Sequence, residues 1–555
     1  MDNYISFIPI GGIGDVTKNM SLYEYKNEIL IVDCGLGFAD ETMLGVDLLL
    51  PDISYLLSSP KKIKGMVLTH GHEDHIGGLP FILPQLLKKE PGLTILATPL
   101  TAALANEKLK EFKIPPIVKT VTFSEEEKLL GSFKVSFIRV NHSVPDTSNL
   151  FIKTPVGNFY HASDFKFDLT PEDGKRADFY KIARAGRDSV LCLASDCLNA
   201  EKHGATETER ILFNNLKNEV EGCMGKFLLT TYSSNISRLQ QAVKLAEKEH
   251  RKVCFVGRSL IKTKDVAQRL NYLKIPKGLE IQIENIKSYK SNELFLLVAG
   301  SQGQENSAMT RIAGGEHRDV KLNPDDVVVF SAESIPGNEV AVNSLIDTIS
   351  KRGTKVLYEG NAPTLHVSGH GSSNDLMLMM TLLAPRKLIP IGGTYRQMVA
   401  YKELAKRLGY KDKDVFLLEN GQEVMFYRED VRLGRKIETR NVYVDEITGE
   451  EVESFVLRDR QKLSEGGIAI LIAEIDSSTG QLVNQIDVII RGLPIKDLKK
   501  FKNDMDRKLK EALKDKRGRV TNWVYLRKLL GEVSERFIFK EFQRRPLVLP
   551  VVIEV

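Results

Sequence analysis

Cysteine is scarce in this chain of 555 residues: Cys34, Cys192, Cys197, Cys223 and Cys254 are the five, an odd number with no C-x-x-C pair. That spacing argues against a disulfide framework and against a thiolate zinc site. Also missing is any uninterrupted apolar run near the ~18 residues that a membrane span needs, so no transmembrane helix is expected. The opening Met1-Asp2-Asn3-Tyr4 runs straight into strand-like sequence, without a basic segment and an apolar core, so no signal peptide is expected either. These absences together point to a reducing compartment, the cytosol. No internal repeat or low-complexity tract occurs. Charge of a single sign is in short supply as well: 78 Lys and Arg face 73 Asp and Glu, and the resulting +5 permits an anionic partner without demanding one.

What is present is ordinary globular composition, 42% hydrophobic and 27% charged, enough for roughly three or four folding units. Short β-rich runs bounded by turn residues come first, at Tyr4–Ile10, Met20–Tyr25, Ile29–Val32 and Gly65–Leu68; helical patterns follow at Gly78–Lys89 and Thr101–Phe112. This reads as an α/β layered domain. From Glu207 to about Ser350, amphipathic helices (Ser237–His250, Ile261–Leu270) alternate with apolar strands (Lys226–Thr231, Lys252–Val256, Glu293–Ala299), the pattern of a second α/β domain. Buried-strand character returns at Lys355–Tyr358 and Lys387–Ile391, so a chemical site can be assembled from both sides of an insertion. The acidic stretch Asp445–Glu453 reads as a linker or exposed hairpin. Strands at Gly467–Ile475 and Gln485–Arg491 and a charged helix over Lys496–Arg517 then make a small third α/β domain, whose basic residues read as a solvated face more readily than as an RNA contact.

The ten histidines are unevenly placed. Three fall within His70-Gly71-His72-Glu73-Asp74-His75, directly after the apolar Met66-Val67-Leu68. His70 and His72 can reach one cation from an extended loop, while Asp74 and His75, at the start of the next helix, point to a neighbouring position. Imidazole nitrogen and carboxylate oxygen suit zinc or manganese. Glu73 is expected to face away.

At this point the sequence resembles the metallo-β-lactamase superfamily, whose further ligands are a lone His and a bridging Asp. Asn141-His142-Ser143-Val144-Pro145-Asp146 and Ser163-Asp164-Phe165-Lys166-Phe167-Asp168 match those motifs, which makes His142 and Asp164 the candidates. Ser195–Glu201, Thr231–Gln240, Gly257–Ser259, Gly300–Gly303, Ile335–Glu339, His366–Gly371 and Arg544–Pro550 are similar to the successive motifs of the ribonuclease J family, over essentially the whole chain. The resemblance implies a four-layer αββα metallo-β-lactamase domain interrupted by an α/β β-CASP domain, plus a small C-terminal α/β domain. The expected limits are 1–206 and 353–430 for the interrupted domain, 207–352 for the insertion, 431–466 for a linker and 467–555 for the last domain.

Members of that family cleave RNA internally and processively from the 5′ end, preferring a 5′ monophosphate. By resemblance, His70, His72, His142 and Asp164 would hold one metal, and Asp74, His75 and Asp164 a second. Two cations about 4 Å apart can share a hydroxide that attacks phosphorus in line. Zinc, one ion or two, is the expected cofactor, with Mn²⁺ or Mg²⁺ as alternatives; a Ca²⁺ near Asp47 and Asp445 follows only by family analogy. The loop His366-Val367-Ser368-Gly369-His370 is the expected phosphate-binding segment, with His370 as general acid or transition-state stabiliser, so Asp74, Asp164 and His370 are the catalytic candidates.

One departure stands out. The family's last metal ligand is a His in a Pro-x-His-Gly-Glu-Tyr-Arg segment, whereas this chain reads Pro390-Ile391-Gly392-Gly393-Thr394-Tyr395-Arg396. Gly392 has no ligand atom, and no histidine occurs after His370. A first metal bound more tightly than the second is therefore expected. The competing readings are an RNA-binding subunit with weakened or lost catalysis and a small-molecule hydrolase such as a glyoxalase or lactonase; the inserted domain speaks against the latter. Single-stranded RNA and a second or fourth copy of the chain, assembled through Ile468–Val555, are the expected partners.

Overall fold

The computed structural model describes residues 3–40, 43–125, 127–335, 337–445, 449–476, 482–514 and 523–555. Pro336 of one predicted motif, residues 446–448 of the acidic stretch and the Arg517 end of the charged helix lie outside them. The chain divides into two compact units, residues 1–38 with 49–442, and residues 39–48 with 443–555.

The larger unit is organised by two facing sheets. One has eight strands in the order Val431–Lys436, Gln422–Phe426, Ile5–Gly11, Met20–Tyr25, Glu28–Val32, Lys62–Leu68, Ile95–Ala97, Val118–Thr120. The other has six, in the order Lys387–Ile391, Val190–Asp196, Asn158–Ala162, Ser148–Lys153, Phe133–Arg139, Lys128–Leu130. Phe7, Tyr23, Leu30 and Val67 from the first share one core with Val135, Phe137, Phe159 and Leu193 from the second. Burial on both faces is why central strands such as Lys62–Leu68 and Val190–Asp196 contain continuous apolar runs rather than alternating ones. Helices Ser373–Leu383 and Tyr395–Arg407 close the outer side of the six-stranded sheet, with Leu376, Met379, Met398 and Tyr401 turned into that core. Helix Pro99–Glu111 packs beside strands Ile95–Ala97 and Val118–Thr120 of the eight-stranded sheet. This is the expected αββα layering.

Between strand Val190–Asp196 and strand Lys387–Ile391 the chain builds a five-stranded, all-parallel sheet, ordered Lys252–Val256, Leu294–Val298, Phe227–Thr230, Val327–Phe330, Lys355–Leu357. The pleat sorts its apolar residues: Phe227 and Leu229 join a core with helices Ile211–Glu221 and Ile236–Lys248, while Leu228 faces the core built on Met309, Ile312 and Ile346.

In the smaller unit, strand Ile468–Ile475 lies between Asp487–Arg491, antiparallel, and Leu547–Glu554, parallel. Helices Leu498–Lys514 and Trp523–Phe542 cover one face through Met505, Leu509, Leu526, Leu530 and Ile538. Residues 431–466 carry regular structure: strand Val431–Lys436 pairs with Gln422–Phe426, Val444 pairs antiparallel with Glu451, and Ser454–Gly466 is helical. Val431–Lys436 is an exposed edge with sequence VRLGRK, so no apolar alternation announces it.

Candidate metal centre

Every predicted ligand sits just past the C-terminal end of a strand, where the two sheets open. Thr69 and His70 follow Lys62–Leu68, His142 follows Phe133–Arg139, Asp164 follows Asn158–Ala162, Asp196 ends Val190–Asp196 and Gly392 follows Lys387–Ile391. His72 caps the four-residue helix Glu73–Ile76, which presents Asp74 and His75 on its first turn. Glu73 turns outward to the Lys108 ammonium at 2.6 Å.

The predicted ligands form two donor groups that share the Asp164 carboxylate, and the same carboxylate forms a third with Asp196 and His370. His70, His72, His142 and Asp164 converge, and so do Asp74, His75 and Asp164; within each group the donor atoms lie within 4.8 Å of one another. His72 Nδ1 is 3.0 Å from both His70 Nε2 and His142 Nε2, and Asp164 Oδ2 is 3.5 Å from His70 Nε2 and 3.7 Å from His142 Nε2. Donors on one tetrahedral zinc, with bonds of about 2.0–2.1 Å, are separated by about 3.3 Å. The second group is similar, with His75 Nε2 at 3.3 Å from Asp74 Oδ2 and 3.4 Å from Asp164 Oδ2.

The protonation states favour a cation. Burial, reinforced by neighbouring imidazoles, holds His70 and His142 well below the usual histidine range, and burial also depresses His72, so all three present lone pairs. Burial works against the Asp164 carboxylate, but His75 and His370 overcome it and keep the group ionised. Asp164, Asp74 and Asp33 raise His75 against its burial, and a cation taken up there would replace that proton, since only neutral imidazole is a ligand. Three neutral imidazoles and a carboxylate, lone pairs facing inward, repel one another unless a divalent ion lies between them. The donor chemistry therefore fits the metal.

Each imidazole is also fixed from behind. The ring nitrogen turned away from the centre meets Thr69 Oγ1 for His70 (3.1 Å), Ser143 Oγ for His72 (3.0 Å), the Gly369 carbonyl for His142 (2.8 Å) and Asp33 Oδ2 for His75 (2.8 Å). Such contacts set ring orientation and raise ligand basicity. Sequence reasoning passed over Asp33 and Thr69; their signal is position, each standing directly after a buried strand. Asp33 also accepts from the Thr69 backbone N–H at 2.7 Å and from its hydroxyl at 2.8 Å, locking the two strand ends together.

His370 reaches the centre, with Nε2 3.8 Å from Asp164 Oδ2, and its Nδ1 is 2.7 Å from Asp196 Oδ2. Burial alone would favour neutral imidazole; Asp196 and Asp164 outweigh it and raise His370 to about 9. Asp196, quoted in the sequence only as part of a motif, is thus the partner that keeps His370 charged.

The rest of the predicted loop divides. Gly369 lies against the His142 ring, where a Cβ would sit 2.8 Å from two ring atoms, so only glycine allows this approach. His366 and Val367 turn away from the metal donors toward buried Arg238, which donates to the Val367 carbonyl at 3.2 Å and faces His366 Nδ1 at 3.3 Å. Burial and Arg238 push His366 down to about 4. Arg238, from the inserted domain, also grips Glu209 at 2.9 and 3.0 Å, and Lys166 donates to the Ser368 carbonyl at 3.0 Å. Three buried charges thereby hold the backbone of the loop.

Gly392 occupies a left-handed conformation, φ +64°, and a Cβ built there would meet only Asp164 Oδ1 at 3.9 Å and Asn19 Oδ1 at 4.0 Å. A side chain at 392 would therefore point into the second donor group, which here keeps three donors. Among the described residues all clusters of three or more His, Cys, Asp or Glu donors lie at this centre; Asp47 and Asp445 belong to none.

Comparison with known proteins matches four segments of the chain. Residues 13–199 match the metallo-β-lactamase superfamily, 224–349 the ribonuclease J β-CASP domain, 361–418 the Zn-dependent metallo-hydrolase RNA specificity domain and 455–555 the ribonuclease J C-terminal domain. Ribonuclease J of Thermus thermophilus is 35% identical over 100% of this chain and 96% of its own length. Ribonuclease J 1 of Streptococcus pyogenes is 34% identical over 99% and 98%, and ribonuclease J2 of Bacillus subtilis 32% over 99% and 99%. A crystal structure of a protein of unknown function from Enterococcus faecalis shares the fold, with a TM-score of 0.54 at 15% identity over 76% of this chain and all of that one. With full-length relatives above 30% identity and metal donors gathered at the strand ends, the chain is a metallo-hydrolase that belongs to the ribonuclease J family.

Proposed function

We propose that this chain hydrolyses phosphodiester bonds of single-stranded RNA, both internally and from a 5′-monophosphorylated end in the 5′-to-3′ direction, in RNA maturation and decay. The observation that carries the reading is Asp164: one ionised carboxylate shared by two donor groups, with the charged His370 3.8 Å away. His70, His72, His142 and Asp164 would hold one divalent cation, and Asp74, His75 and Asp164 the other. Cations there supply Lewis-acid charge to the phosphate oxygens and lower the pKa of water.

The protein's own residues do the rest. His370, protonated through its pairing with Asp196, holds a proton at Nε2 facing the centre and can pass it to the leaving oxygen. Gly369 and the neighbouring backbone leave an unobstructed surface for a phosphate. His366 and Val367 contribute indirectly, as the anchor of that loop on Arg238. We take residues 1–206 and 353–430 as the catalytic domain, 207–352 as the opposite wall of an RNA channel and 467–555 as an assembly domain. Strand Leu547–Glu554 supports the last assignment, since Leu549, Val551 and Ile553 are 42%, 41% and 42% exposed and offer an apolar face to a second copy. The five thiols are buried and unpaired, in keeping with work in the reducing cytoplasm. For the calcium site the support is that Asp47 donates its N–H to the Val444 carbonyl at 3.2 Å, beside Asp445.

The test is an assay on 5′-monophosphorylated RNA with divalent metal, wild type beside Asp164→Ala, with metal content, calcium included, measured on the same preparations. Metal-dependent shortening lost in the variant supports the reading. RNA binding without cleavage in both proteins favours instead a non-catalytic RNA-binding subunit, for which Gly392 is the specific motive.

A further inference from the structure

Gly392 leaves the second donor group one ligand short, and the side chain that borders the gap is Asn19. Its amide nitrogen donates weakly to the Val16 carbonyl at 3.4 Å; it lies 3.1 Å from His75 Nε2 and donates to Asp74 Oδ2 at 3.3 Å. Those separations match the spacing between His75, Asp74 and Asp164 themselves, 3.3–3.4 Å. Neighbouring donors on a six-coordinate cation with bonds of about 2.1 Å are separated by about 3.0 Å, so the end of the amide stands at a ligand position.

The side chain is held there. Asn19 is 8% exposed, its backbone N–H donates to the Asp74 carbonyl at 2.9 Å, and its carbonyl accepts from Gly35 at 3.0 Å. On the other side the amide oxygen rests against Gly12, φ +78°, where a Cβ would come within 2.2 Å of it. Glycine at 12 makes the room that the amide fills. Gly12 in turn accepts the Gly392 N–H at 2.8 Å, so the backbone turn that lacks a ligand and the residue beside the gap are tied together. Amide oxygen and nitrogen are nearly the same size, and a half-turn of the amide puts the oxygen where the nitrogen now sits.

We propose that Asn19 supplies an amide oxygen to the second cation in place of the absent histidine, and thereby gives this position an oxygen-rich set (Asp74, Asp164, Asn19, one imidazole) that suits Mn²⁺ or Mg²⁺ better than the three-imidazole group does. Carboxylate and carbonyl oxygens suit Mg²⁺ and Mn²⁺, whereas the three imidazoles of the first group suit zinc. The centre is then mixed: zinc where nitrogen dominates, a harder ion where oxygen does. This rests on the reading that the chain is a two-cation hydrolase.

The test is a binding measurement that needs no RNA. Metal-free chain is reloaded with one equivalent of Zn²⁺ and titrated with Mn²⁺, free Mn²⁺ being followed by electron paramagnetic resonance and bound metals by mass spectrometry, for wild type, Asn19→Ala and Asn19→Asp. Wild type is expected to keep the zinc and take up one Mn²⁺; Asn19→Ala is expected to weaken Mn²⁺ by about tenfold or more, and Asn19→Asp to bind it at least as tightly as wild type. Unchanged Mn²⁺ affinity in Asn19→Ala, or no Mn²⁺ uptake by wild type, overturns the proposal. Should Asn19→Ala also lose zinc, Asn19→Asp decides: affinity at or above wild type supports the amide as a ligand, and a fall overturns it. Failure of wild type to hold even the zinc would instead overturn the functional reading itself.

Discussion

His70, His72 and His142 meet Asp164 as three neutral imidazoles, each pinned from behind by a neighbour: Thr69, Ser143 and the Gly369 carbonyl. Asp74 and His75 meet the same carboxylate from one short helix, in a group that is open toward Gly392 and bordered by Asn19. The first half is rich in nitrogen and assembled from three separate loops; the second is rich in oxygen and has one donor fewer. The two donor groups meet only at Asp164 and can therefore be perturbed separately.

The largest expected effect erases the distinction. Asp164→Ala removes the shared ligand and should cost about 4 kcal/mol of transition-state stabilisation, about a thousandfold in kcat/KM, together with loss of metal from both positions. Metal analysis and an RNA cleavage assay on one preparation check both halves of that statement. Loss of one metal alone would show that the positions are less dependent on Asp164 than the geometry implies.

Arg238→Ala comes next and acts through the loop that orients His142 and carries His370. The guanidinium is fully buried, gripped by Glu209, and holds the Val367 carbonyl two residues before the Gly369 carbonyl that orients His142. Removing one member of a buried ion pair leaves the other charge uncompensated, at roughly 3–5 kcal/mol. Denaturation should report that loss, and zinc retention should fall. Arg238→Lys keeps the charge without the planar fork and should cost less.

The strands and the donors were legible in the sequence for different reasons. Apolar runs such as Met66-Val67-Leu68 and Phe227–Thr230 are buried on both faces, which makes them visible without any partner. The edge strand Val431–Lys436 exposes most of its side chains, so its charged sequence hid it. His70, His72 and His75 were legible because three imidazoles in six residues have few uses apart from metal. Asp33, Asp196 and Asn19 were not, since a carboxylate or amide at either end of a strand is common and only folding brings Asp196 to His370 or Asn19 to His75 across the chain. The role of Arg238 needs the three-dimensional path of a loop 128 residues away from it.

His370 tests whether acid chemistry is independent of both positions. His370→Ala should retain both metals and lose about a hundredfold in kcat. Asp196→Asn removes the carboxylate that raises His370 to about 9. A group with a raised pKa stays protonated up to that pH, so wild-type activity should fall only as pH rises through about 9; in Asp196→Asn the alkaline limb should move to lower pH. An unmoved limb would assign it to another group.

The smallest effect, and the most informative about the asymmetry, is expected from Gly392→His. The backbone at 392 is left-handed, which disfavours an L side chain by roughly 1–2 kcal/mol, and this should appear as a modest loss of stability in the metal-free protein. Against that cost, the new Cβ would stand 3.9 Å from Asp164 Oδ1 and 4.0 Å from Asn19 Oδ1, with no closer obstruction, so the imidazole would enter the second donor group. Metal should offset the strain: the variant is expected to melt below wild type without metal and level with or above it with zinc in excess. The second position should also shift toward zinc, because two imidazoles would then face the two carboxylates and the amide where one faces them now. A variant that loses stability equally with and without zinc would show that the missing ligand atom is not what distinguishes the two halves, and that the difference lies in the helix that carries Asp74 and His75.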